Sequence, residues 1–529
     1  MNNRQSAPVR RRTLLAGGLA AALPLPAIAQ DLRARTLRFV PAANLSVLDP
    51  TITTAGVSAT HGFAVFDTLY GVDSRNQPQR QMIESEEVSA DGLTWTFRLR
   101  DGLRFHDGEP VRGRDCIASI RRWSARDGFG QAVASYFVEM TSADDRTFQI
   151  RVKRPVGGLL NAFAKASVTS LFVLPERLAS TDPFKPITEM VGSGPYRFVA
   201  SEFNSGSRVV YERNTAYVPR TEQPDMTAGG KVVHFDRLEW WVIPDASTAS
   251  AALQRGEVDW YEYALLDLVP LLEKNRDIVV RNSSSLGLAS VMRFNFLQAP
   301  FNNPALRRIV RDAVNQADYM RAIHGDIPGW SECHSMFTCG IPGVIDRKPP
   351  SKSIDAWRAD VKAAGYNGEK VVIMNPTDYS FIASQGLITG ELLAKLGFNV
   401  EVAAMDFGTL MRRRASKDPV DKGGWSIFHT SGGALTMANP ADSYTTRGPA
   451  DGGWAGWYTS TEAERLTFEW LEASTPEARQ IAFAAAQQLA YDDVPIVPLG
   501  FWRPKSALRK DISGVTDTGI SLFWNVRRT

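Results

Sequence analysis

Ser89-Ala90-Asp91-Gly92-Leu93-Thr94-Trp95-Thr96-Phe97-Arg98-Leu99-Arg100-Asp101-Gly102 holds an alternating run, Thr94 to Arg100, between two Asp-Gly pairs. Period-two alternation bounded by tight-turn dipeptides reads as a half-buried antiparallel strand. Thr147 to Lys153 repeats the pattern through Phe148, Ile150 and Val152. Between the two, Asp115 to Trp123 places Cys116, Ile117, Ile120 and Trp123 on one face of a helix. This region, about residues 50–185, reads as a small α+β unit.

Downstream the period changes. Asn303-Pro304 is a cap followed by a first-turn proline, and Leu306, Ile309, Val310, Ala313, Val314, Ala317 and Met320 form a stripe that predicts one long amphipathic helix. Lys370 to Met374 is strand-like, a helix runs from about Ser384 to Leu396 and stops at Gly397, and Asn399 to Ala403 is a second strand: a βαβ pattern. Thr475-Pro476 opens a helix to about Tyr491, after which Val494 to Leu499 and the tail alternate short apolar runs with turns. An α/β part therefore follows the α+β part. With no repeat and no low-complexity linker, the parts are expected to be joined by crossing strands, as in a hinge.

The 529 residues are 44% hydrophobic and 22% charged, an ordinary globular composition that excludes disordered, collagen-like and coiled-coil classes. At this length two or three domains and a cleft between them are expected. The formal charge of +3 comes from the first 29 residues, where Arg4, Arg10, Arg11 and Arg12 meet no acid; without them the body stands at −1. Such a body offers no basic surface for nucleic acid. The same arginines precede an apolar stretch, Leu14 to Leu25, and Ala27-Ile28-Ala29, the small-x-small pattern that signal peptidase cuts. Arg11-Arg12 before Thr13-Leu14-Leu15 fits the twin-arginine form of export signal; a Sec signal rich in arginine is the other reading. Either route predicts a soluble mature chain from Gln30 in the periplasm or outside the cell. In that oxidising setting Cys333 and Cys339 can close a small disulfide ring in the Gly329 to Gly343 loop; a metal site of Cys333, His334 and Cys339 falls short of the four ligands of structural zinc. Cys116 reads as an inert core thiol.

The sequence lacks a phosphate-binding Gly-x-x-x-x-Gly-Lys-[Ser/Thr] loop, a His-Glu-x-x-His pair and a Gly-x-Ser-x-Gly elbow. Gly192-Ser193-Gly194 only imitates an elbow, because Pro195 stands where a helix would begin. An acid pair needs no local signature, so Asp378 with Asp442 is kept as the one hydrolytic alternative to a non-catalytic protein.

The chain resembles the bacterial extracellular solute-binding proteins of the peptide and nickel class, family 5, the soluble receptors of ABC importers. The resemblance runs in order through Leu48-Asp49-Pro50, Phe66-Asp67-Thr68-Leu69-Tyr70, the Ser89 to Gly102 block, Phe105-His106-Asp107-Gly108-Glu109-Pro110, Gly192-Ser193-Gly194-Pro195-Tyr196, Ala251 to Asp259, Asn295 with Pro300-Phe301, and Asp493 to Pro498. It implies an α/β, two-lobed Venus-flytrap fold with an extra α+β subdomain. The first lobe would be built from 30–49, 186–284 and 492–529, the inserted subdomain from 50–185, and the second lobe from 285–491. Also implied are a ligand held between lobes that close by hinge motion, ABC permease subunits of the inner membrane as partners, a monomer, and no cofactor. A sensory receptor that hands occupancy to a chemoreceptor would share this architecture. His106 belongs to a turn block and is expected to be structural.

Two departures from the family pattern bear on the ligand. Peptide-binding relatives bury the ligand ammonium against an Asp shortly after a Trp; here Gly424-Trp425-Ser426-Ile427-Phe428-His429-Thr430-Ser431-Gly432-Gly433 has the Trp and no acid until Asp442. Dipeptide-binding relatives carry an Arg ahead of the Ser384 helix to clamp the carboxylate, where this chain has Asn375, Pro376, Thr377, Asp378 and Tyr379. Peptide remains the leading ligand class, with Asp378 or Asp442 taking the ammonium, or with backbone pairing to an extended peptide. The aromatic set Trp425, Phe428, Trp454 and Trp457 would alternatively suit a non-peptide solute that is apolar, sugar-like, opine-like or cationic. His429 is a candidate donor to a nickel or haem complex, although no metal site is assigned. The expected ligand-binding set is Asn44, Leu48, Asp378, Tyr379, Trp425, Phe428, His429, Thr430, Asp442 and Trp454. Arg412-Arg413-Arg414 is expected to be a solvated helix face.

Overall fold

The computed structural model describes residues 32–529 except 286, 327, 328, 451, 452 and 474. The export signal, 1–29, lies outside the described residues.

A seven-stranded sheet is ordered Tyr196–Phe198, Arg208–Arg213, Arg237–Trp241, Thr36–Val40, Trp260–Tyr261, Lys505–Arg509, Ile278–Asn282. Its strands come from the start, middle and end of the chain. Thr36–Val40 is central and parallel to both neighbours, and Leu37 and Phe39 are buried on one face against Trp240, Trp260, Phe523 and Trp524. A six-stranded sheet is ordered Trp330–Ser331, Ile496–Trp502, Leu288–Phe294, Ile427–Gly433, Lys370–Pro376, Asn399–Met405. The βαβ unit is present there: Lys370–Pro376 and Asn399–Met405 pair in parallel across the Ser380–Lys395 helix. The alternating block of the sequence sits in a four-stranded antiparallel sheet, Ile83–Val88, Thr94–Leu99, Thr147–Val152, Phe137–Ser142. Before its second strand, Gly92 at φ 71° makes the turn, with Asp91 Oδ1 accepting from the Leu93 N–H at 3.0 Å.

The structure moves three of the expected boundaries. Ile496–Trp502, expected in the first lobe, pairs with Leu288–Phe294 in the six-stranded sheet. It is buried along its whole length, and Ile496, Val497, Leu499 and Trp502 fill that lobe's core. The Gly56–Val65 helix, expected in the inserted unit, buries Phe63, Ala64 and Val65 in the first lobe's core. The long helix predicted from Asn303 is two helices, Pro304–Ala313 and Gln316–His324. Val314 is extended at ψ 125°, and Asn315 caps the second helix by accepting from the Ala317 N–H. Each half docks separately: Arg307 donates to the Asp493 carbonyl, while Gln316 donates to those of Cys333 and Pro498.

Chain crossings between the two large sheets run side by side, one after Asn282 and one between Trp502 and Lys505, and Ser283 N–H donates to the Pro504 carbonyl at 2.7 Å. Gly287, at φ 68°, sits here so close to Trp502 that a Cβ would meet the Trp502 carbonyl oxygen at 2.7 Å. The inserted unit is locked to the first lobe by an ion pair. Arg122 Nη2 is 2.8 Å from Asp49 Oδ2, and both side chains are shut off from solvent. Asp49 also accepts from Thr51 and from the Ile187 N–H, and Arg122 donates to the carbonyls of Thr181, Asp182 and Lys185. His106 is structural, as expected. Gly192 N–H donates to its Nδ1, which leaves its Nε2–H to donate to the Gly194 carbonyl at 3.1 Å. Cys333 and Cys339 form a disulfide, and Cys116 is a buried free thiol.

Removing one partner of a fully buried pair strands the other charge. Arg122→Met is expected to cost about 3–5 kcal/mol in urea unfolding, with Arg122→Lys recovering part of it. A loss under 1 kcal/mol would show that the pair does not hold the inserted unit.

Candidate functional site

Loops leaving the carboxyl ends of parallel strands converge between the sheets, where ligands of open α/β sheets bind. Ala42 and Ala43 follow Thr36–Val40, Glu262 and Tyr263 follow Trp260–Tyr261, Tyr379 follows Lys370–Pro376, and Phe407 follows Asn399–Met405. With Thr54 to Val57, Ala166 to Val168, Phe428 to Thr436 and Thr518 to Ile520 they enclose a cleft of about 1460 Å³, mouth included. Residues of both lobes and of the inserted unit line it. Its walls are mainly apolar, with Tyr263 and Phe381 meeting across the lobes at 6.1 Å between ring centroids.

Two charged side chains reach the lining. Glu262 Oε2 accepts from the Ala42 N–H and Oε1 from the Ser521 hydroxyl, both at 2.7 Å. Burial raises its pKa against these two hydrogen bonds. Burial, with help from Glu262, also raises the pKa of Tyr263 and Tyr379 well above the usual phenol range. Arg414 stands at the end of the Phe407–Arg413 helix, and desolvation pushes its pKa down to about 10. The expectation of a solvated arginine face is thereby corrected: Arg412 is exposed and Arg413 donates to the Gly423 and Gly424 carbonyls, but Arg414 faces the cleft.

Of the expected ligand-binding set, Tyr379, Phe428, His429 and Thr430 come together in the lining. The other six stand elsewhere. Asn44 accepts from the Gly206 N–H and donates to Ser205, and Leu48 packs on the first lobe's core. Asp378 is exposed and accepts from the Phe407 N–H at 2.7 Å. Trp425 is fully buried in a cluster with Met374, Leu410 and Phe428, and Trp454 packs behind Phe428 at 5.2 Å. Asp442 is taken by the protein itself: Lys165 Nζ is 3.4 Å from its Oδ1 and 2.5 Å from Asp127 Oδ2. Neither acid of the supposed hydrolytic pair lines the cleft, because each is engaged by its own scaffold. His429 Nε2 is 2.7 Å from Thr389 Oγ1, and burial lowers its pKa to about 3. Among the described residues no group of three His, Cys, Asp or Glu side chains is disposed to hold a metal ion.

Glu262 and Arg414 were missed in the sequence. Glu262 had one available signal, its place just past a strand that follows the Gly256 block. Arg414 looked like its two neighbours in a run of three.

Residues 77–454 match the model of the bacterial extracellular solute-binding proteins, family 5, and the chain belongs to that family. A probable peptide ABC transporter periplasmic-binding protein of Sinorhizobium fredii, y4tO, is 37% identical over 532 residues, covering 98% of this chain and 99% of the relative. Helicobacter pylori DppA in complex with the peptide STSA superposes with a TM-score of 0.78 at 22% identity, covering 94% and 99% of the two chains. Agrobacterium tumefaciens AgaA in complex with agropinic acid gives 0.78 at 20% identity, covering 93% and 99%. The fold is thus that of the two-lobed periplasmic binding proteins. The family consists of solute-binding proteins rather than enzymes, and no helix among the described residues is long and apolar enough to cross a membrane.

Asp442 supplies a pH test. Burial raises its pKa to about 6, Lys165 opposes the rise, and Asp127 adds to it; Tyr444 is the other titratable group it acts on. The folded state therefore holds this proton more tightly than the unfolded state, whose value is near 3.8. Its contribution to stability is complete below that value and is lost as pH rises to about 6. Relative to wild type, Asp442→Asn should gain on the order of 1–3 kcal/mol in urea unfolding across that window. A difference that stays constant with pH would refute the assignment.

Proposed function

We propose that this chain is an exported, non-catalytic receptor that captures a short peptide between its lobes and delivers it to the permease subunits of an ABC importer. The observation that carries the peptide reading is an open strand edge. Ile427–Gly433 pairs along its whole length with Leu288–Phe294, but on its other side Lys370–Pro376 accompanies it only at Ile427 and Phe428. Among the described residues no strand lies beside 429–433, which line the cleft, on that side. Free backbone N–H and C=O groups at the wall of a largely apolar cleft suit an extended peptide, whose main chain pairs regardless of side-chain identity. The similarity to y4tO, a probable peptide ABC transporter periplasmic-binding protein, and to DppA, solved in complex with the peptide STSA, supports this reading. Contact with both lobes gives such a ligand a differential affinity for the closed state, the condition for driving hinge closure.

The test is mass spectrometry of small molecules released by denaturing protein purified from its native periplasm. A set of short peptides is expected; a single non-peptide compound would overturn the peptide reading and leave the receptor role in place. The same preparation should begin at Gln30, and changing Arg11 and Arg12 together to Lys should block export by the twin-arginine route. Undiminished export would assign the signal to Sec.

A further inference from the structure

The wall that continues from the open strand edge is held from behind by a disulfide-closed ring. Ala434–Met437 is a short turn of 3-10 helix directly after Ile427–Gly433, and Ala434, Leu435 and Thr436 line the cleft. The last carbonyls of a helix find no partner within it. That of Met437 accepts from the Thr338 N–H at 3.1 Å, and the Thr338 hydroxyl donates to the Ala434 carbonyl at 2.6 Å. Ala434, Met437 and Thr338 are each only 3% exposed, so neither bond is readily exchanged for one to solvent. At the start of the turn the Ala434 N–H donates to the carbonyl of Gly287, beside the chain crossing that follows Asn282.

Thr338 has no regular element to fix it. Residues 332–353 contain neither helix nor strand, and the segment is closed instead by the Cys333–Cys339 disulfide. One end of the ring is anchored to the second lobe. Gln316 Oε1 accepts from the Cys333 N–H at 2.7 Å, and Gln316 Nε2 donates to the carbonyls of Cys333 and Pro498, both at 2.9 Å. Cys333 also packs with Ala434 and Phe501. The disulfide carries this anchorage to Cys339, the neighbour of Thr338. Without it the loop regains conformational freedom, and that entropy is set against the two bonds to the turn.

We infer that Thr338 is the positioning residue of this wall, and that solute capture depends on the Cys333–Cys339 ring being closed. Neither Thr338 nor either cysteine is in the lining, so each acts through the place of Ala434–Met437. Opening the ring takes a dithiol: the S–S bond breaks, two electrons and two protons pass to the sulfurs to give two thiols, and the dithiol leaves as a cyclic disulfide. The inference rests on the cleft being the solute site, and it holds for a peptide or a non-peptide solute.

Two probes are offered to protein stripped of solute with its disulfide intact: a mixed-sequence tripeptide pool, and the small-molecule extract released by denaturing the native periplasmic protein. Retention is read by native mass spectrometry, amide hydrogen exchange reports on 434–438, and thermal unfolding checks the fold. Thr338→Val should speed exchange at 434–438 and weaken retention about tenfold, and Thr338→Ser, which keeps the hydroxyl, should recover most of both. Dithiothreitol on folded wild type, and the paired change Cys333→Ser with Cys339→Ser, should act in the same direction, with Thr338→Val adding little once the ring is open. Retention unchanged by Thr338→Val and by ring opening would overturn the inference and leave the peptide reading standing. A loss that Thr338→Ser does not recover, or that only follows a general fall in unfolding temperature, would equally overturn it. Wild type that retains compounds from the extract and no tripeptide would overturn the peptide reading, and the same variants then decide the inference on those compounds. Wild type that retains neither probe would overturn both.

Discussion

Asp49 and Arg122 carry the constraint on which the rest of the molecule depends. The pair joins a loop of the first lobe to a helix of the inserted unit in a place shut off from solvent, and its hydrogen bonds reach the stretch 181–187 as well. A second buried pair, Lys231 Nζ with Asp67 Oδ1 at 2.6 Å, ties the same bodies together, with the ammonium over the Trp524 ring. Isolated buried charges are too costly to persist, so each pair permits one seating of the inserted unit on the lobe. That seating places Thr54 to Val57 and Ala166 to Val168 at the cleft.

The second lobe is placed by different physics. Its sheet is filled by Val291, Phe294, Ile373, Ile427, Val497 and Trp502, and apolar packing dominates. It meets the first lobe through two adjacent crossings and across the cleft. Lys165 of the inserted unit reaches Asp442 of the second lobe, and Arg447 donates to the Gly128 carbonyl, so polar contacts span the boundary where a hinge must open. The charges on these contacts have opposite partners: Lys165 lies between Asp127 and Asp442, and Arg447 pairs with Glu464. Arg414 and Glu262 are the exceptions, and both lie where a solute would sit.

Local chemistry made much of the architecture legible. The Thr94 alternation with its Asp-Gly turns, the helix through Cys116 and Trp123, and the Lys370 to Ala403 βαβ unit depend on periodicity and turn residues, which act over a few positions. The split after Ala313 was illegible because the apolar stripe continues through Val314, while the break depends on where each half docks. Ile496–Trp502 was assigned to the wrong lobe for a related reason: an apolar run states that a strand is buried, not which sheet buries it.

The sequence by itself determined the family, the two-lobed class, the turn blocks and the disulfide, since these rest on ordered motifs and short-range geometry. Tertiary structure alone decided the binding surface. Trp425 and Trp454 have the composition of a ligand cage, yet packing turned them into the support behind Phe428. Asp442 has the chemistry of an ammonium receptor, yet Lys165, far away in the chain, already fills it. Arg414 is one of three adjacent arginines that differ only in direction. Which charge is paired and which is left facing the cleft is a property of residues brought together over hundreds of positions, and no local pattern encodes it.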